Sequence, residues 1–370
     1  MKKKKVMLVF GTRPEAIKMA PLVKTLAADE RFETIVTVTA QHREMLDMVL
    51  ELFSIIPDYD LNIMKQGQDL YDITVNVMQG LKSILRETRP DVLLVHGDTT
   101  TTMAASLAGF YEGVPVGHVE AGLRTGNKLS PWPEEINRRI TDVIADYYFA
   151  PTELNRENLL RENVPAEKIF VTGNTVIDAL HMAVEKECDL SLYGLGELDP
   201  KKRIVLLTCH RRENWGEPME RIFSAVAKLA DAHDDIEIVF PAHKNPLVRE
   251  IADRHLGDKS NVRMIEPLDY LPFSALMNRS YLVLTDSGGI QEEAPSLGKP
   301  VLVLRDTTER PEAVEAGTVK TVGTYESDIL AAAETLLTDE TAYRKMAETK
   351  NPYGNGTASC QILGILGEKV

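Results

Sequence analysis

The sequence is poor in the features that mark extracellular, metal-binding or redox proteins. Its 370 residues include three cysteines, Cys188, Cys209 and Cys360, and none belongs to a Cys-x-x-Cys pair. An odd number of widely spaced cysteines argues against a disulfide framework and against a structural zinc site. No His-Glu-x-x-His or similar ligand spacing occurs, so we expect no bound metal.

Two common nucleotide-binding motifs are also missing. The sequence contains neither a Gly-x-Gly-x-x-Gly fingerprint nor a P-loop. Tight binding of a nicotinamide dinucleotide, or of ATP in a P-loop, therefore has no support from a motif. We expect a protein that works without a cofactor.

Long apolar runs are absent too. No stretch approaches the roughly 18 apolar residues of a membrane-spanning helix. The basic start of the chain is followed by an apolar run at 6–10 only, which is shorter than the ~7–15 residues of a signal peptide. We therefore expect a cytoplasmic protein with no membrane partner.

Basic charge is in deficit: 42 Lys and Arg stand against 56 Asp and Glu, for a net charge of −14. A nucleic-acid partner is not expected, because attraction to phosphates needs a basic face. The chain is otherwise of ordinary globular composition, with 44% hydrophobic and 26% charged residues. Its length suggests two or three domains at roughly 150 residues each.

Short apolar runs alternate with longer amphipathic segments along the whole chain. Met19, Leu22, Val23 and Leu26, for example, have helical spacing. Such alternation predicts an α/β fold with parallel sheets covered by helices on both faces. We predict two series of strands: 6–10, 35–39, 92–95, 114–119 and 147–150, then 204–208, 236–240, 262–265, 282–285 and 301–304.

The two series open alike, with basic residues, an apolar strand and a polar loop. This similarity predicts two doubly wound units in tandem. The periodicity lapses at 188–200, so we place the boundary between about 175 and 200. We assign 1–175 to the first domain, with a helix at 355–370 packed back on it, and 176–354 to the second.

Ligands of doubly wound sheets bind beyond the carboxyl ends of the strands, so the loops there are the candidate sites. The loop after the first strand carries Arg13 and Lys18 at a helix start, with Thr12 and Glu15 at capping-box spacing. It is either an anion site or a capped helix with two solvated cations.

Three carboxylates occupy similar positions in the first half. Asp98 and Glu120 follow predicted strands, and Glu134 begins a helix that also carries Arg138. Each acid alone is more typical of a helix cap or of a group that complements the helix dipole. Together, beside the two cations of the first loop, they favour proton transfer.

The second half has a different set of loop residues. His210 follows its first strand, and Ser287, Gly288 and Gly289 follow its fourth. The glycines allow backbone N–H groups to approach an anion closely, as a diphosphate requires. The alternative is a tight glycine turn. The pattern favours a nucleoside diphosphate, with Glu293 available for ribose hydroxyls.

Taken together, these loops resemble the non-hydrolysing UDP-N-acetylglucosamine 2-epimerases of bacteria. The resemblance implies two Rossmann-like domains in a glycosyltransferase-B arrangement, with the substrate in the cleft between them, and usually a homodimer. It implies reversible interconversion of UDP-GlcNAc and UDP-ManNAc, which supplies ManNAc units for surface polysaccharides. Eight blocks match in order: 11–22, 41–46, 96–102, 118–125, 131–138, 210–213, 286–298 and 305–313.

The resemblance also implies roles for individual residues. The catalytic positions of the family fall on Asp98, Glu120, Glu134 and His210. Leu268 stands where the family often has a glutamine, so that contact would come from the backbone. The substrate contacts fall on Arg13, Lys18, Arg138, Leu268, Phe273, Ser287, Gly288, Gly289, Glu293 and Arg310.

Some members of the family bind a second UDP-GlcNAc as an allosteric activator. Glu44 and Gly67 stand where those members carry Gln and Arg, so the match to this second site is incomplete. The positions that do match are Gln41, Gln68, Arg211 and His243.

The chemistry is consistent with the missing cofactor motifs. The C2 proton of the sugar is not acidic, because no carbonyl adjoins C2 in the ring form. Its removal can instead be coupled to loss of UDP from C1, which gives a glycal without a redox step. Three alternatives remain open: a hydrolysing 2-epimerase, a UDP-sugar-dependent glycosyltransferase and a non-enzymatic nucleotide-sugar sensor.

Overall fold

The computed structural model describes residues 2–41 and 43–370. The chain divides into two compact units, one formed by the residues up to Ala179 together with Tyr353–Val370, the other by Leu180–Pro352. Each unit contains one parallel sheet with helices packed on it. The predicted α/β class with two doubly wound sheets is confirmed.

The first unit is built on a seven-stranded sheet in the described part of the chain, in the order β3-β2-β1-β4-β5-β6-β7. Residues 6–10 of β1 are all buried, as expected for a sheet covered on both faces. Its strands are β1 (Lys4–Phe10), β2 (Phe32–Val38), β3 (Tyr59–Asp60), β4 (Val92–His96), β5 (Val116–Val119), β6 (Tyr147–Ala150) and β7 (Ile169–Val171).

Helices connect these strands, and the last of them enters the second unit. They are α1 (Arg13–Ala27), α2 (Arg43–Leu52), α3 (Leu70–Thr88), α4 (Thr100–Tyr111), α5 (Glu134–Ile144), α6 (Glu153–Arg161) and α7 (Thr175–Val184). Short 3₁₀ turns lie at Ala166–Lys168, Leu190–Tyr193 and Arg212–Asn214.

The second unit repeats the design, with the strand order β10-β9-β8-β11-β12-β13. Its strands are β8 (Arg203–Thr208), β9 (Ile236–Pro241), β10 (Val262–Ile265), β11 (Leu282–Thr285), β12 (Val301–Val303) and β13 (Val319–Thr321). Its helices are α8 (Glu217–Ala232), α9 (Pro246–Leu256), α10 (Tyr270–Arg279), α11 (Ile290–Ser296), α12 (Pro311–Ala316), α13 (Glu326–Thr338) and α14 (Glu340–Ala347). Over residues 2–41 and 43–370, no helix is both long and apolar enough to cross a membrane.

The C-terminal helix, α15 (Ala358–Lys369), packs on the first unit beside α1. The carboxylate of Asp178 in α7 accepts hydrogen bonds from the backbone N–H groups of Ala358 (3.2 Å) and Ser359 (2.7 Å). Lys4 donates to the backbone oxygen of Gly367 at 2.7 Å. Both ends of α15 are therefore tied to this unit.

Each sheet has one point at which the strand order reverses. In the first sheet β1 lies between β2 and β4, and in the second β8 lies between β9 and β11. Ligands of doubly wound folds bind beyond the strand ends at such a point. The loops there are those after β1 and β4 in the first unit, and those after β8 and β11 in the second.

Three strands are absent from the sequence prediction: β3, β7 and β13. Each has only two or three residues and forms an edge of its sheet. An edge strand of this length buries too few side chains to leave an apolar run in the sequence. The ten predicted strands are all present; three have the predicted ends, and the ends of the other seven shift by at most three residues.

Candidate active site

A single buried carboxylate holds the loop after β1. Glu15 Oε2 accepts hydrogen bonds from the backbone N–H groups of Gly11 (3.1 Å) and Thr12 (2.8 Å) and from the Thr12 hydroxyl (2.7 Å). Its Oε1 accepts from the hydroxyls of Thr99 (2.7 Å) and Thr102 (3.0 Å). Burial raises the pKa of Glu15, and these hydrogen bonds oppose that rise. The predicted capping box is confirmed, and it also joins the loop after β1 to the start of α4.

Glu120, directly after β5, is held by two donors. Its Oε2 accepts a hydrogen bond from Asn174 Nδ2 at 2.9 Å and forms an ion pair with the Lys18 ammonium group. The backbone φ of Glu120 is +67°, in the left-handed region that non-glycine residues seldom adopt. The structure therefore brings together Lys18 and Glu120, two of the predicted site residues. Arg13, at the first position of α1, is half-buried.

His96, the last residue of β4, lies beside this carboxylate. It is 3% exposed, and its Nε2 is 3.7 Å from Glu120 Oε2. Neither ring nitrogen has a hydrogen-bond partner among the described residues. Burial lowers the pKa of His96 to about 3, so the ring is neutral at pH 7.

Asp98, in the loop after β4, is anchored to α5. Its Oδ2 accepts a hydrogen bond from Arg138 at 2.6 Å, and its backbone oxygen accepts one from Asn137 Nδ2 at 2.9 Å. Arg138 is itself fixed by Glu135, whose Oε2 lies 3.1 Å from the guanidinium. Asp98 and Arg138, both predicted site residues, are thus in direct contact.

The three predicted carboxylates share one edge of the first sheet. Asp98 and Glu120 follow β4 and β5, which are paired in the sheet. A Cβ atom added to Gly97, the residue before Asp98, would lie 3.5 Å from Glu120 Oε1, so the two loops are close to each other. Glu134 begins α5, half-buried, and its buried Oε2 has no hydrogen-bond partner within the described residues. The three acids therefore differ in their partners: Asp98 binds Arg138, Glu120 binds Lys18, and the buried oxygen of Glu134 has no hydrogen bond from a described residue.

In the second unit, Asp286 organises the loops after β8 and β11. It is fully buried, and its Oδ2 accepts from the backbone N–H groups of His210 (2.9 Å) and Arg211 (2.8 Å) and from Asn214 Nδ2 (3.1 Å). Its Oδ1 lies 3.2 Å from His210 Nδ1. Partial burial of the ring lowers the pKa of His210, and Asp286 opposes this effect. The His210 side chain remains 42% exposed and so is open to a ligand.

The loop after β11 and the start of α12 hold most of the predicted nucleotide contacts. Ser287 donates its N–H to the Thr285 hydroxyl at 2.9 Å. Gly288 is buried and Gly289 is exposed, and a Cβ on Gly289 would lie 3.7 Å from Glu293 Oε1. Gly289 therefore lies close to Glu293.

Arg310 precedes α12 and forms an ion pair with Glu292 of α11. The Thr308 hydroxyl links the same two segments, since it donates to Gln291 Oε1 at 2.6 Å. Leu268 and Phe273 lie just before and within α10, and both are half-buried.

The four residues predicted for a second site lie in both units. Gln41 Oε1 accepts from the Thr101 hydroxyl at 3.1 Å, and Gln68 Oε1 accepts from a backbone N–H at 3.2 Å. In the second unit, the rings of His210 and His243 are stacked with centroids 6.2 Å apart. The guanidinium of Arg211 lies 3.7 Å from Glu309 Oε1, also in the second unit.

Several residues that contact the predicted site residues could not be predicted from the sequence. Asn174 binds Glu120 but follows β7, a strand too short to predict. Asp286 and His96 stand out in the sequence only as the first residues of two matched blocks. Within residues 2–41 and 43–370, no cluster of three His, Cys, Asp or Glu side chains is arranged to hold a metal ion.

Comparison with known proteins identifies the family. The model of the UDP-N-acetylglucosamine 2-epimerase family matches residues 24–367. The chain belongs to this family. The resemblance found in the sequence is confirmed, and membership favours an epimerase over a glycosyltransferase or a nucleotide-sugar sensor.

Relatives of this epimerase family match along nearly their whole length. The UDP-N-acetylglucosamine 2-epimerase of Escherichia coli (strain K12) is 60% identical over 368 residues, which cover 98% of each chain. The Neisseria meningitidis UDP-GlcNAc 2-epimerase, solved bound to UDP-GlcNAc, is 52% identical, with a TM-score of 0.85 over 99% of this chain and 100% of that one. The Methanocaldococcus jannaschii enzyme in complex with UDP-GlcNAc and UDP is 34% identical, with a TM-score of 0.76 over 98% and 99%.

Proposed function

We propose that this protein interconverts UDP-GlcNAc and UDP-ManNAc by reversible inversion at C2 of the sugar. Family membership supports the proposal, as do the two solved relatives that bind UDP-GlcNAc. The observation that carries it is the edge of the first sheet, where Asp98, Glu120 and Glu134 stand in three different surroundings. Such a set suits removal and return of one proton.

The proposed reaction has two steps. A carboxylate takes the C2 proton, the electrons of the C–H bond form the C1=C2 double bond of a glycal, and the C1–O bond breaks with its pair on the departing UDP. UDP then adds back to C1, and a second acid returns a proton to C2 from the opposite face. No electrons leave the substrate, so the step needs no redox partner.

The cations and loop residues have complementary roles in this proposal. The guanidinium groups of Arg13 and Arg310 and the ring of His210 stabilise the negative charge that develops on the diphosphate. The glycine-containing loop binds the diphosphate through its backbone, and Glu293 binds the ribose hydroxyls. Phe273 and the backbone of Leu268 contact the nucleotide.

Substitution of single acids tests the proposal. Asp98→Asn and Glu120→Gln remove proton transfer but keep the size of the side chain, so kcat falls by ~10²–10⁴. UDP affinity, measured by calorimetry, stays near the wild-type value because both acids lie outside the nucleotide loops. Glu153→Gln is the matched control, since this glutamate is 71% exposed at the start of α6. Wild-type turnover in either acid variant contradicts the assignment.

We further propose that the protein is a homodimer through α3, α4 and α5 of the first unit. Helix α4 packs against both α3 and α5, and Val143 is 85% exposed. Several large apolar side chains exposed on neighbouring helices favour a protein interface there. The others on these helices are Tyr71 (82%), Val75 (49%), Phe110 (61%), Tyr111 (66%) and Ile140 (37%).

Light scattering tests the dimer. The wild-type protein has twice the mass of the chain, and Val143→Asp has the mass of one chain. Leu192→Asp is the control, because Leu192 is also exposed (78%) but lies in the second unit. A monomeric wild type, or a dimer that survives Val143→Asp, contradicts the proposal.

A further inference from the structure

His118, in β5, faces a hydrogen-bond acceptor at each ring nitrogen. The residue is 1% exposed. Its Nε2 lies 2.7 Å from the backbone oxygen of Gly97, and its Nδ1 lies 2.6 Å from Asp142 Oδ1. A backbone carbonyl oxygen can only accept, so Nε2 must carry a proton.

Asp142, in α5, is also held as an acceptor. Its Oδ2 accepts a hydrogen bond from Arg124 at 2.7 Å, and Arg124 binds Glu162 at the same distance. Burial raises the pKa of Asp142, but His118 and Arg124 outweigh burial and hold it below its ordinary value. An ionised carboxylate cannot donate, so Nδ1 of His118 must carry a proton as well.

We propose that His118 is an imidazolium, with a proton on each ring nitrogen, and a positioning residue for Asp98. Its Nε2–H fixes the carbonyl of Gly97, while the N–H of Gly97 donates to the backbone oxygen of Val119 at 2.9 Å. Gly97 is thus held on both sides, with a φ of +68° that glycine adopts without strain. The next residue is Asp98, and the inference rests on the proposed function because Asp98 is one of its acids.

A cation at this position pairs with a buried carboxylate. Asp142 is 2% exposed and pairs with both His118 and Arg124. Glu162, by contrast, is exposed and lies near both Arg124 and Arg139. His96 on the neighbouring strand differs: burial keeps it neutral, and the charges of Lys18 and His118 add to that effect.

The protonation of the ring is measured by NMR. In the full-length protein labelled with ¹⁵N-histidine, a long-range ¹H–¹⁵N spectrum of His118 at pH 7 shows two protonated nitrogens with similar shifts. The resonance is assigned by its loss in His118→Gln, or by its movement in Asp142→Asn. Two widely separated nitrogen shifts, the sign of a neutral ring, overturn the proposal.

Two variants separate positioning from charge. His118→Gln loses the fixed contact with Gly97, and a displacement of Asp98 by about 1 Å lowers kcat by ~10²-fold. UDP affinity stays unchanged, because the nucleotide loops are not altered. Asp142→Asn leaves a neutral His118 that still donates to Gly97, so its kcat falls much less than that of His118→Gln.

Each result has a clear meaning. A folded His118→Gln that retains wild-type kcat overturns the positioning role, as does an Asp142→Asn variant that loses as much turnover as His118→Gln. If His118→Gln does not fold, the wild-type spectrum and Asp142→Asn still decide the question. A wild-type protein that does not epimerise UDP-GlcNAc refutes the proposed function but leaves the histidine spectrum as predicted.

Discussion

Replacing Glu15 by alanine removes the acceptor of five hydrogen bonds at once. Three of the donors are threonine hydroxyls, which can rotate; that of Thr102 already lies 2.5 Å from the backbone oxygen of His96. The N–H groups of Gly11 and Thr12 cannot turn away. At ~1–3 kcal/mol for each buried donor left unsatisfied, these two alone destabilise the first unit by about 2–6 kcal/mol.

Glu15→Gln is the matched control. The amide oxygen of glutamine can take the place of Oε2 and keep both backbone N–H bonds. Its NH₂ group then faces the hydroxyls of Thr99 and Thr102, which can rotate to accept. The neutral amide also avoids the cost of burying a charge, so this variant stays within about 1 kcal/mol of wild type.

Hydrogen exchange read by mass spectrometry measures the two units separately. Peptides from β1 report opening of the first unit, and peptides from β8 report the second and serve as the internal reference. Glu15→Ala speeds exchange in β1 by at least about 30-fold, since 1.4 kcal/mol corresponds to a factor of ten. Equal effects of alanine and glutamine, or unchanged exchange in β1, would refute the capping argument.

The pH dependence of this site has a definite sign. Burial raises the pKa of Glu15 above 4.5, so the folded state keeps a proton that the unfolded state loses. The stabilising effect of that proton is complete below pH 4.5 and is lost as the pH rises through the folded-state pKa. Relative to Glu15→Gln, the wild-type first unit should therefore lose stability over this rise in pH.

Two further predictions concern stability. Gly11→Ala places a Cβ atom 1.9 Å from Thr39 Oγ1, so it lowers the free energy of unfolding in urea by ~1–3 kcal/mol. Gly364→Ala is the control: its Cβ would have no atom within 4 Å, and it stabilises α15 by about 0.5–1 kcal/mol. Equal effects of the two substitutions would contradict the close approach at Gly11. Hydrogen bonds from Arg305 lower the pKa of Glu309 from 4.5 to about 2, so the stability they provide is present above pH 4.5 and lost as the pH falls toward 2. Glu309→Gln should flatten the fall of Tm in acid, and an unchanged slope would argue against the pair.

The fold was predictable from the sequence because buried parallel strands leave continuous apolar runs. Residues 6–10 of β1 and 282–285 of β11 are examples, since every residue in them is buried. The edge strands β3, β7 and β13 could not be predicted for the opposite reason. Their few residues contact neighbours on one side only, so their sequences carry no pattern of burial.

The candidate site was predictable only where topology places residues at a strand end. Asp98 and Glu120 follow fully buried strands, β4 and β5, and the rule for doubly wound sheets singles out such positions. Their partners could not be predicted, because contacts such as Glu120 with Lys18, 102 residues away, or with Asn174, 54 residues away, have no local signature. The cationic state of His118 depends on two such contacts.

The central claim is that a carboxylate of the first unit removes the C2 proton of UDP-GlcNAc and another acid returns one from solvent. Incubation of the protein with UDP-GlcNAc in D₂O, followed by proton NMR, tests it directly. The account predicts that UDP-ManNAc appears and that deuterium replaces hydrogen at C2. Accumulation of free ManNAc and UDP, release of UDP only with a sugar acceptor, or UDP-ManNAc that retains its C2 proton would contradict it.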